Sequence, residues 1–137
     1  MKAYTFEQLT VGLTHRFQAV ITEEMMQAFC MLSGDENPLH CDEAYANAQG
    51  YPGRVVYGML TAALCSRLAG MYLPGQYCLL QSVQIKFARP VFIGDELSVE
   101  GVVAERFDSV RAVVVKATIQ RGGVTVAKAA IQAGVLK

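Results

Sequence analysis

The sequence has few of the features that bind nucleic acid, metal ions or nucleotides. Its 12 basic and 12 acidic residues give a formal net charge of zero, and no basic tract is present. Because no zinc-finger or RNA-binding motif occurs either, nucleic acid is not expected as a partner. The sequence contains only two histidines and four cysteines, without metal-ligand spacing, so no metal is expected. No glycine-rich phosphate loop is present, so no nucleotide cofactor is expected.

A membrane span and a secretory signal are also missing from the sequence. The most apolar stretch, residues 55–73, is interrupted by Arg67 and does not suit a bilayer. Glu7 comes too early for the apolar core of a signal peptide. The cysteines lie among apolar residues without a CxxC pair, at Cys30, Cys41, Cys65 and Cys78. Such cysteines are typical of buried free thiols in a cytosolic protein, so we expect a cytoplasmic protein without membrane contact.

Apolar residues are present in excess. Hydrophobic residues make up 53% of the sequence and charged residues only 18%, which is more apolar than a typical soluble domain. A length of 137 residues fits one domain, residues 1–137, with a substantial core. The excess predicts that some apolar surface is buried between subunits.

The first half of the chain is expected to be largely helical. Residues 1–12 have no regular pattern, and loose alternation over residues 14–21 predicts an edge strand. Thr22 is a candidate N-cap for a helix that ends near Gly34. A further helix, from Gly58 or Met59 to Met71, is apolar on nearly all sides, which is typical of a buried central helix.

The second half of the chain changes to a period of two. Alternation predicts four strands near residues 83–87, 97–101, 113–119 and 125–135. The short breaks between them favour an antiparallel meander. Helices followed by strands, with one very apolar helix that needs a sheet to cover it, predict an α+β fold.

One short stretch, Ser33 to His40, combines groups that can move protons. Pro38 disfavours helical geometry at Asn37, so a loop is expected here. A loop could bring Asp35 and His40 to one point, where a carboxylate and an imidazole can hold a water molecule and move its protons. Spacing alone leaves a structural alternative open, in which Asp35 caps backbone N–H groups and His40 is a satisfied core histidine.

Several stretches of the chain share a known pattern. They are Phe29 to Asp42, Tyr45-Ala46, Arg54 to Leu60, Leu73-Pro74-Gly75, Lys86 to Val91 and Gly94-Asp95. Together they resemble the MaoC-like family of hot-dog-fold (R)-specific enoyl-CoA hydratases and dehydratases, from about Thr14 to the end. The block Ser-Gly-Asp-x-Asn-Pro-Leu-His is the specific signal. The resemblance implies a single hot-dog domain, a long central helix wrapped by an antiparallel sheet. It also implies a homodimer or dimer of dimers, with active sites near the interface.

The resemblance also implies a reaction, the reversible hydration of a trans-2-enoyl thioester of coenzyme A or acyl carrier protein, without a cofactor. Asp35 and His40 would hold the water, one taking its proton and the other protonating the α-carbon. The backbone N–H of Gly58 would meet the thioester oxygen at the start of the central helix. The family commonly has His-Gly where this chain has Tyr57-Gly58, a departure that bears on substrate range and local hydrogen bonding.

Six further residues are candidates for substrate contact: Ser33, Asn37, Tyr57, Met59, Lys86 and Arg89. Lys86 and Arg89, together with Arg54 and Arg67, would meet the phosphates of coenzyme A or phosphopantetheine, with a solvated face as the alternative for each. Met59 would fill the core or line an acyl tunnel. Each candidate has a structural alternative. Asn37 would hold the loop backbone, Ser33 would bond within the turn, and Tyr57 would be a packed aromatic with its hydroxyl satisfied.

Two other functions remain open from the sequence. A hot-dog thioesterase would bind the same acyl thioester and hydrolyse it, and an Asp/His pair could serve that reaction. A non-catalytic acyl-thioester-binding subunit would keep the fold and the dimer but lack turnover. The tyrosine at position 57 is the only feature that favours this last interpretation.

Overall fold

The computed structural model describes all 137 residues. Its main element is an antiparallel sheet of five strands. The strands are β1 (Thr14–Val20), β2 (Cys78–Phe87), β3 (Glu96–Phe107), β4 (Ala112–Arg121) and β5 (Val124–Val135). Their order across the sheet is β1-β3-β4-β5-β2. The edge strand predicted at residues 14–21 is therefore confirmed as β1, and the α+β prediction is confirmed as well.

The predicted four-strand meander is wrong for β2. Only β3, β4 and β5 follow one another as hairpins, whereas β2 pairs with β5 at the far edge of the sheet. Residues 88–95 cross the end of the sheet instead of turning back on β2. The N–H groups of Ala88 and Arg89 bond to the carbonyl of Val126, and Val55 bridges to Phe92. Alternation in the sequence gives the strands but not the order in which they pair.

Four helices lie between β1 and β2 along the chain: α1 (Glu23–Ser33), α2 (Pro38–Cys41), α3 (Glu43–Ala48) and α4 (Gly58–Met71). The buried central helix is confirmed as α4, in which Cys65, Leu68 and Ala69 are all but inaccessible. A Cβ atom at Gly101 of β3 would lie 2.6 Å from a methyl carbon of Leu68, so the glycine lets α4 pack closely on the sheet. None of the helices is both long and apolar enough to cross a membrane.

Helix α1 begins and ends at the predicted residues. The Thr22 hydroxyl accepts a hydrogen bond from the N–H of Met25 at 3.2 Å. Gly34 ends the helix with φ of 71°, a left-handed conformation that glycine adopts at little cost. Its N–H bonds to the carbonyl of Cys30 at 2.8 Å. This ending fixes where the chain leaves the helix, immediately before Asp35.

The prediction of a loop from Asp35 to His40 is wrong for its last three residues, which are helical. Asn37 caps the one-turn helix α2, its side-chain oxygen accepting the N–H of Leu39 at 2.9 Å. Pro38 occupies the first turn of α2, where a missing N–H costs nothing and the fixed φ suits the helix. The proline therefore starts a helix here, and His40 lies on that helix.

The cysteine prediction is correct for pairing and largely wrong for burial. All four cysteines are free thiols, but only Cys65 is buried. Cys41 is exposed, and Cys30 and Cys78 are half-buried. Apolar neighbours in the sequence do not ensure burial for residues on the short helices and the edge strand.

Candidate active site

A cavity of about 360 Å³ opens beside the N-terminal end of α4. Its lining consists of His40, Tyr51, Val55, Val56, Gly58, Thr61, Phe87, Ala88, Arg89, Pro90 and Val91. The surface is largely apolar, and a few polar groups face it. Such a combination is typical of small-molecule sites in enzymes.

The imidazole of His40 is held in one orientation at this cavity. Its Nδ1 lies 2.7 Å from the carbonyl oxygen of Val55, and its ring packs 4.2 Å from the ring of Tyr57. Because a carbonyl can only accept, Nδ1 carries the hydrogen of this bond. In the neutral ring Nε2 therefore keeps its lone pair. The arrangement leaves Nε2 able to take a proton from a group in the cavity.

The start of α4 supplies a backbone donor to the same cavity. The N–H of Gly58 has no hydrogen-bond partner within the chain, whereas those of Leu60 and Thr61 bond to the carbonyl of Tyr57. A Cβ atom at Gly58 would lie 3.3 Å from the Phe87 ring, so glycine keeps this approach open. A free N–H at a helix N-terminus, where the dipole is positive, suits a developing negative charge.

Asp35 lies close to His40 along the chain but outside the cavity lining. Its carboxylate is exposed and accepts the N–H of Asn37 at 3.0 Å. Its backbone carbonyl accepts the hydroxyl of Tyr57 at 2.7 Å. No hydrogen bond joins Asp35 to His40. The structure thus brings both residues against Tyr57 and does not bring their side chains into direct contact.

Tyr57 is a buried residue that connects the parts of the site. It is 2% exposed, its hydroxyl donates to the Asp35 carbonyl, and that hydroxyl lies 3.4 Å from the sulfur of Cys41. Burial raises the pKa of Tyr57 well above its usual range, so the hydroxyl keeps its proton and remains a donor. Tyr57 does not line the cavity. Its placement is that of a packed aromatic, and its contact with a substrate stays a prediction.

The side chains of Ser33 and Asn37 form hydrogen bonds within the chain. The Ser33 hydroxyl donates to the carbonyl of Phe29 at 2.7 Å and accepts the N–H of Asp35 at 3.1 Å. The side-chain oxygen of Asn37 is used as the cap of α2. Both side chains therefore fix the course of the segment that carries Asp35. Neither lines the cavity, and their contact with a substrate stays a prediction.

The remaining predicted contacts separate into two groups. Arg89 lines the cavity and takes part in no ion pair. Lys86 lies outside the cavity, opposite Lys128 on the neighbouring strand. Met59 is 63% exposed and does not reach the lining, although it follows Gly58 directly. Only Arg89 of these three is therefore placed to touch a ligand in the cavity.

Two lining residues, Tyr51 and Thr61, lie outside every stretch singled out from the sequence for the family resemblance. A third, Phe87, lies within one of those stretches but was not named as a contact. Thr61 follows Gly58 by three residues on a helix, and this spacing alone could have shown that both share one face. Phe87 comes from the end of β2, and no local pattern indicates its contact with α4. No group of three or more His, Cys, Asp or Glu side chains is placed to hold a metal ion.

Comparison with known proteins gives consistent matches. Residues 8–125 match the MaoC-like domain family. An (R)-specific enoyl-CoA hydratase from Aeromonas caviae is 36% identical over 118 residues, or 85% of this chain and 88% of that protein. A 3-hydroxybutyryl-CoA dehydratase from Methylorubrum extorquens is 35% identical over 105 residues, or 77% of this chain and 67% of that protein.

Solved structures agree with these sequence matches. An (R)-hydratase from A. caviae has a TM-score of 0.90 and 31% identity, covering 94% of this chain and 98% of that chain. An unliganded R-hydratase from Pseudomonas aeruginosa has a TM-score of 0.89 and 31% identity, covering 96% of this chain and 84% of that chain.

Proposed function

The chain belongs to the MaoC-like domain family and has its hot-dog fold, and on this premise we propose that it is a hydro-lyase. It adds water reversibly to a trans-2-enoyl thioester and forms the (R)-3-hydroxyacyl thioester. One observation carries the proposal within this chain. An imidazole with a free Nε2, on His40, and an unpartnered backbone N–H, on Gly58, line the same cavity.

In this proposal the N–H of Gly58 donates a hydrogen bond to the thioester oxygen. When the oxygen of water attacks C3, negative charge develops on the thioester oxygen as an enolate. A fixed donor at the positive end of a helix dipole stabilises that charge without having to reorganise. Removing one such donor typically raises a barrier by about 3 kcal/mol.

Asp35 and His40 divide the proton transfers. During hydration one of them takes a proton from water as its oxygen bonds to C3, and the other delivers a proton to C2. In dehydration each group performs the reverse transfer. After a hydration the first group holds an extra proton and the second lacks one, so exchange of a proton between them through solvent restores the pair before the next turnover. The fixed Nδ1–H of His40 leaves Nε2 for these transfers. Tyr57 supports the role of Asp35, because it holds the Asp35 backbone beside the His40 ring.

The carrier of the acyl group is proposed to be coenzyme A. Both curated relatives described above are named for coenzyme A substrates, and the unpaired guanidinium of Arg89 at the cavity suits a phosphate of the carrier. The reaction as written needs no cofactor. The four free thiols are typical of a reducing compartment, so we place the protein in the cytoplasm.

A pair of chains is proposed to form through strand β2. This strand is an edge of the sheet, ten residues long, with large apolar side chains left exposed at Leu79, Leu80, Val83 and Phe87. Native proteins normally cover such an edge, because its free N–H and C=O groups pair with other chains. Because Phe87 also lines the cavity, the partner chain would lie beside the active site.

The proposed reaction is tested by the loss of enoyl absorbance from crotonyl-CoA. The unaltered protein is expected to consume the signal rapidly, and Asp35→Asn and His40→Gln to be slower by about a hundredfold or more, because each removes a proton-transfer group. Glu36→Gln and His15→Gln are the matched controls and are expected to keep full activity. Both control residues lie outside the cavity lining.

Other results would redirect the proposal. If no enoyl-CoA of short or longer chain is consumed, the coenzyme A hydratase is ruled out and enoyl groups on acyl carrier protein are assayed. Release of free thiol from an acyl-CoA would identify a thioesterase. Stabilisation of the protein by acyl-CoA without any reaction would identify a binding subunit.

A further inference from the structure

Thr61 is an unusual residue for its position. Among the serine, threonine, amide and charged residues of the chain it alone is buried, at 2% exposed. It lies on α4 three residues after Gly58, and both residues line the cavity. The face of α4 that carries the free backbone donor therefore also carries a hydroxyl.

The Thr61 hydroxyl has no hydrogen-bond partner within the chain. Its backbone N–H bonds to the carbonyl of Tyr57, but no such bond is made by the side chain. The chain contains no side-chain oxygen or nitrogen that lacks both a partner and solvent access. The hydroxyl oxygen must therefore open onto the cavity, which is the space that Thr61 lines.

Folding alone does not account for a threonine here. The cavity that Thr61 lines is largely apolar and includes Val55, Val56 and Val91. Valine has the shape of threonine and similar helix propensity. An unpaired hydroxyl costs about 1–3 kcal/mol when taken out of water into such surroundings. The hydroxyl is therefore accounted for by a polar atom within the cavity, either water or an oxygen of the ligand.

The position of Thr61 along α4 indicates which ligand atom it meets. Three residues of helix advance about 4.5 Å along the axis, and the side chain leans back toward the N-terminus on the face of Gly58. If the N–H of Gly58 holds the oxygen on C1, a hydroxyl further along this face lies beside the next carbons of the acyl chain. The first polar atom there is the oxygen on C3.

We propose that the Thr61 hydroxyl binds the oxygen that is added to or removed from C3, an inference that rests on the proposed hydratase function. It hydrogen-bonds the water before attack and the 3-hydroxyl group after it. A hydroxyl suits both states because it can donate and accept. The proton transfers remain with Asp35 and His40, so Thr61 orients the oxygen and gives up no proton of its own.

The test compares two ligands that differ only in this oxygen, butyryl-CoA and (R)-3-hydroxybutyryl-CoA. Their dissociation constants are measured in the His40→Gln background, which is expected to turn over the hydroxy ligand at least about a hundredfold more slowly. Thr61→Val is expected to weaken the 3-hydroxy ligand about five- to tenfold, the loss expected for one hydrogen bond, and to leave butyryl-CoA within twofold. Thr61→Ser keeps the hydroxyl and is expected to retain both affinities.

Turnover gives a second measurement with His40 restored. Thr61→Val is expected to lower kcat for crotonyl-CoA hydration about tenfold, and Thr61→Ser to keep most of it. The melting temperature of Thr61→Val should equal or exceed that of the unaltered protein, because an unpaired hydroxyl has been removed. If Thr61→Val does not fold, Thr61→Ala removes the same hydroxyl and replaces it in both measurements.

The outcomes separate this inference from the proposed function. Equal weakening of both ligands would show that Thr61 only packs or contacts the C1 oxygen, and unchanged affinity for both would show an idle hydroxyl; either result overturns the inference. Hydration of crotonyl-CoA by the unaltered protein reports on the proposed function separately. If neither ligand binds the unaltered protein, the coenzyme A function and this inference fail together.

Discussion

At the scale of single residues, the site depends on side chains that hold other groups in place. Val55 fixes the tautomer of His40 through its carbonyl. Tyr57 fixes the backbone of Asp35 through its hydroxyl. The hydroxyl of Tyr57 is buried and its pKa is raised by that burial, so it donates over the whole working pH range. These contacts orient the proposed reacting groups before a ligand binds.

Tyr57→Phe should therefore lower kcat several-fold and leave KM nearly unchanged, since the side chain lies outside the cavity lining. The loss should be the same from about pH 6 to about pH 9, because the hydroxyl stays protonated throughout. Removal of the hydrogen bond is expected to cost about 1 kcal/mol of unfolding free energy. Steady-state kinetics and urea unfolding measure these effects.

The control for this substitution is Tyr45→Phe, which removes the hydroxyl of an exposed tyrosine that makes no side-chain hydrogen bond within the chain. It should change neither the kinetics nor the stability. A raised KM with an unchanged kcat in Tyr57→Phe would contradict the positioning role. It would indicate instead that Tyr57 contacts the substrate.

At the scale of elements, α4 combines a structural and a functional role. Its first residue, Gly58, lines the cavity, and its middle packs in the core through Cys65 and Leu68. The distance between helix and sheet is set where Leu68 meets Gly101 of β3. Close packing on one side of α4 thus determines where its N-terminus stands relative to His40 and Phe87.

Gly101→Ala is expected to destabilise the protein by about 1–3 kcal/mol, because the new methyl group overlaps the Leu68 side chain. Adding Leu68→Val should recover part of this loss, so that the double variant is more stable than the sum of the single effects predicts. Thermal and urea unfolding of the four proteins give the coupling free energy.

Gly70→Ala provides the matched control on α4. A Cβ atom there meets nothing within 4 Å, so the change is expected to stabilise the helix by about 0.5–1 kcal/mol. Equal stability of Gly101→Ala and the unaltered protein would show that α4 can move away from the sheet at no cost.

At the scale of the whole molecule, one edge of the sheet is left with apolar side chains exposed. Strand β2 forms this edge, and the cavity opens at its end through Phe87. Apolar residues make up 53% of the chain, more than in a typical soluble domain, and this composition agrees with an exposed apolar edge. Covering β2 with a second chain would enclose the mouth of the cavity as well as the edge.

Light scattering after size-exclusion chromatography should accordingly give the mass of a dimer, or a multiple of it. Val83→Lys places a charge in the middle of the exposed edge and is expected to shift the protein toward monomer. Crotonyl-CoA hydration should fall with it if the partner helps to close the site.

The matched control is Val110→Lys, a change of the same kind at an exposed valine in the turn between β3 and β4. It should leave the mass unchanged. A monomeric unaltered protein, or a Val83→Lys variant that keeps the dimer mass, would exclude β2 as the interface.

Features that depend on neighbours along the chain could be predicted from the sequence alone. The hydroxyl of Thr22 and the left-handed Gly34 set the ends of α1, and apolar residues on all sides identified α4. The block from Ser33 to His40 was the specific signal of the family, and the later stretches supported it. These signals are local, because a cap or a period involves only residues within a few positions of one another.

Contacts between distant parts of the chain could be seen only in the folded protein. Folding placed β2 beside β5, buried Tyr57 away from the ligand cavity, and brought Phe87 against Gly58. It also turned Pro38 from an expected loop residue into the first residue of a helix. Strand pairing and cavity walls follow from how whole elements pack, and elements distant in sequence compete for the same surface, so no local pattern fixes the outcome.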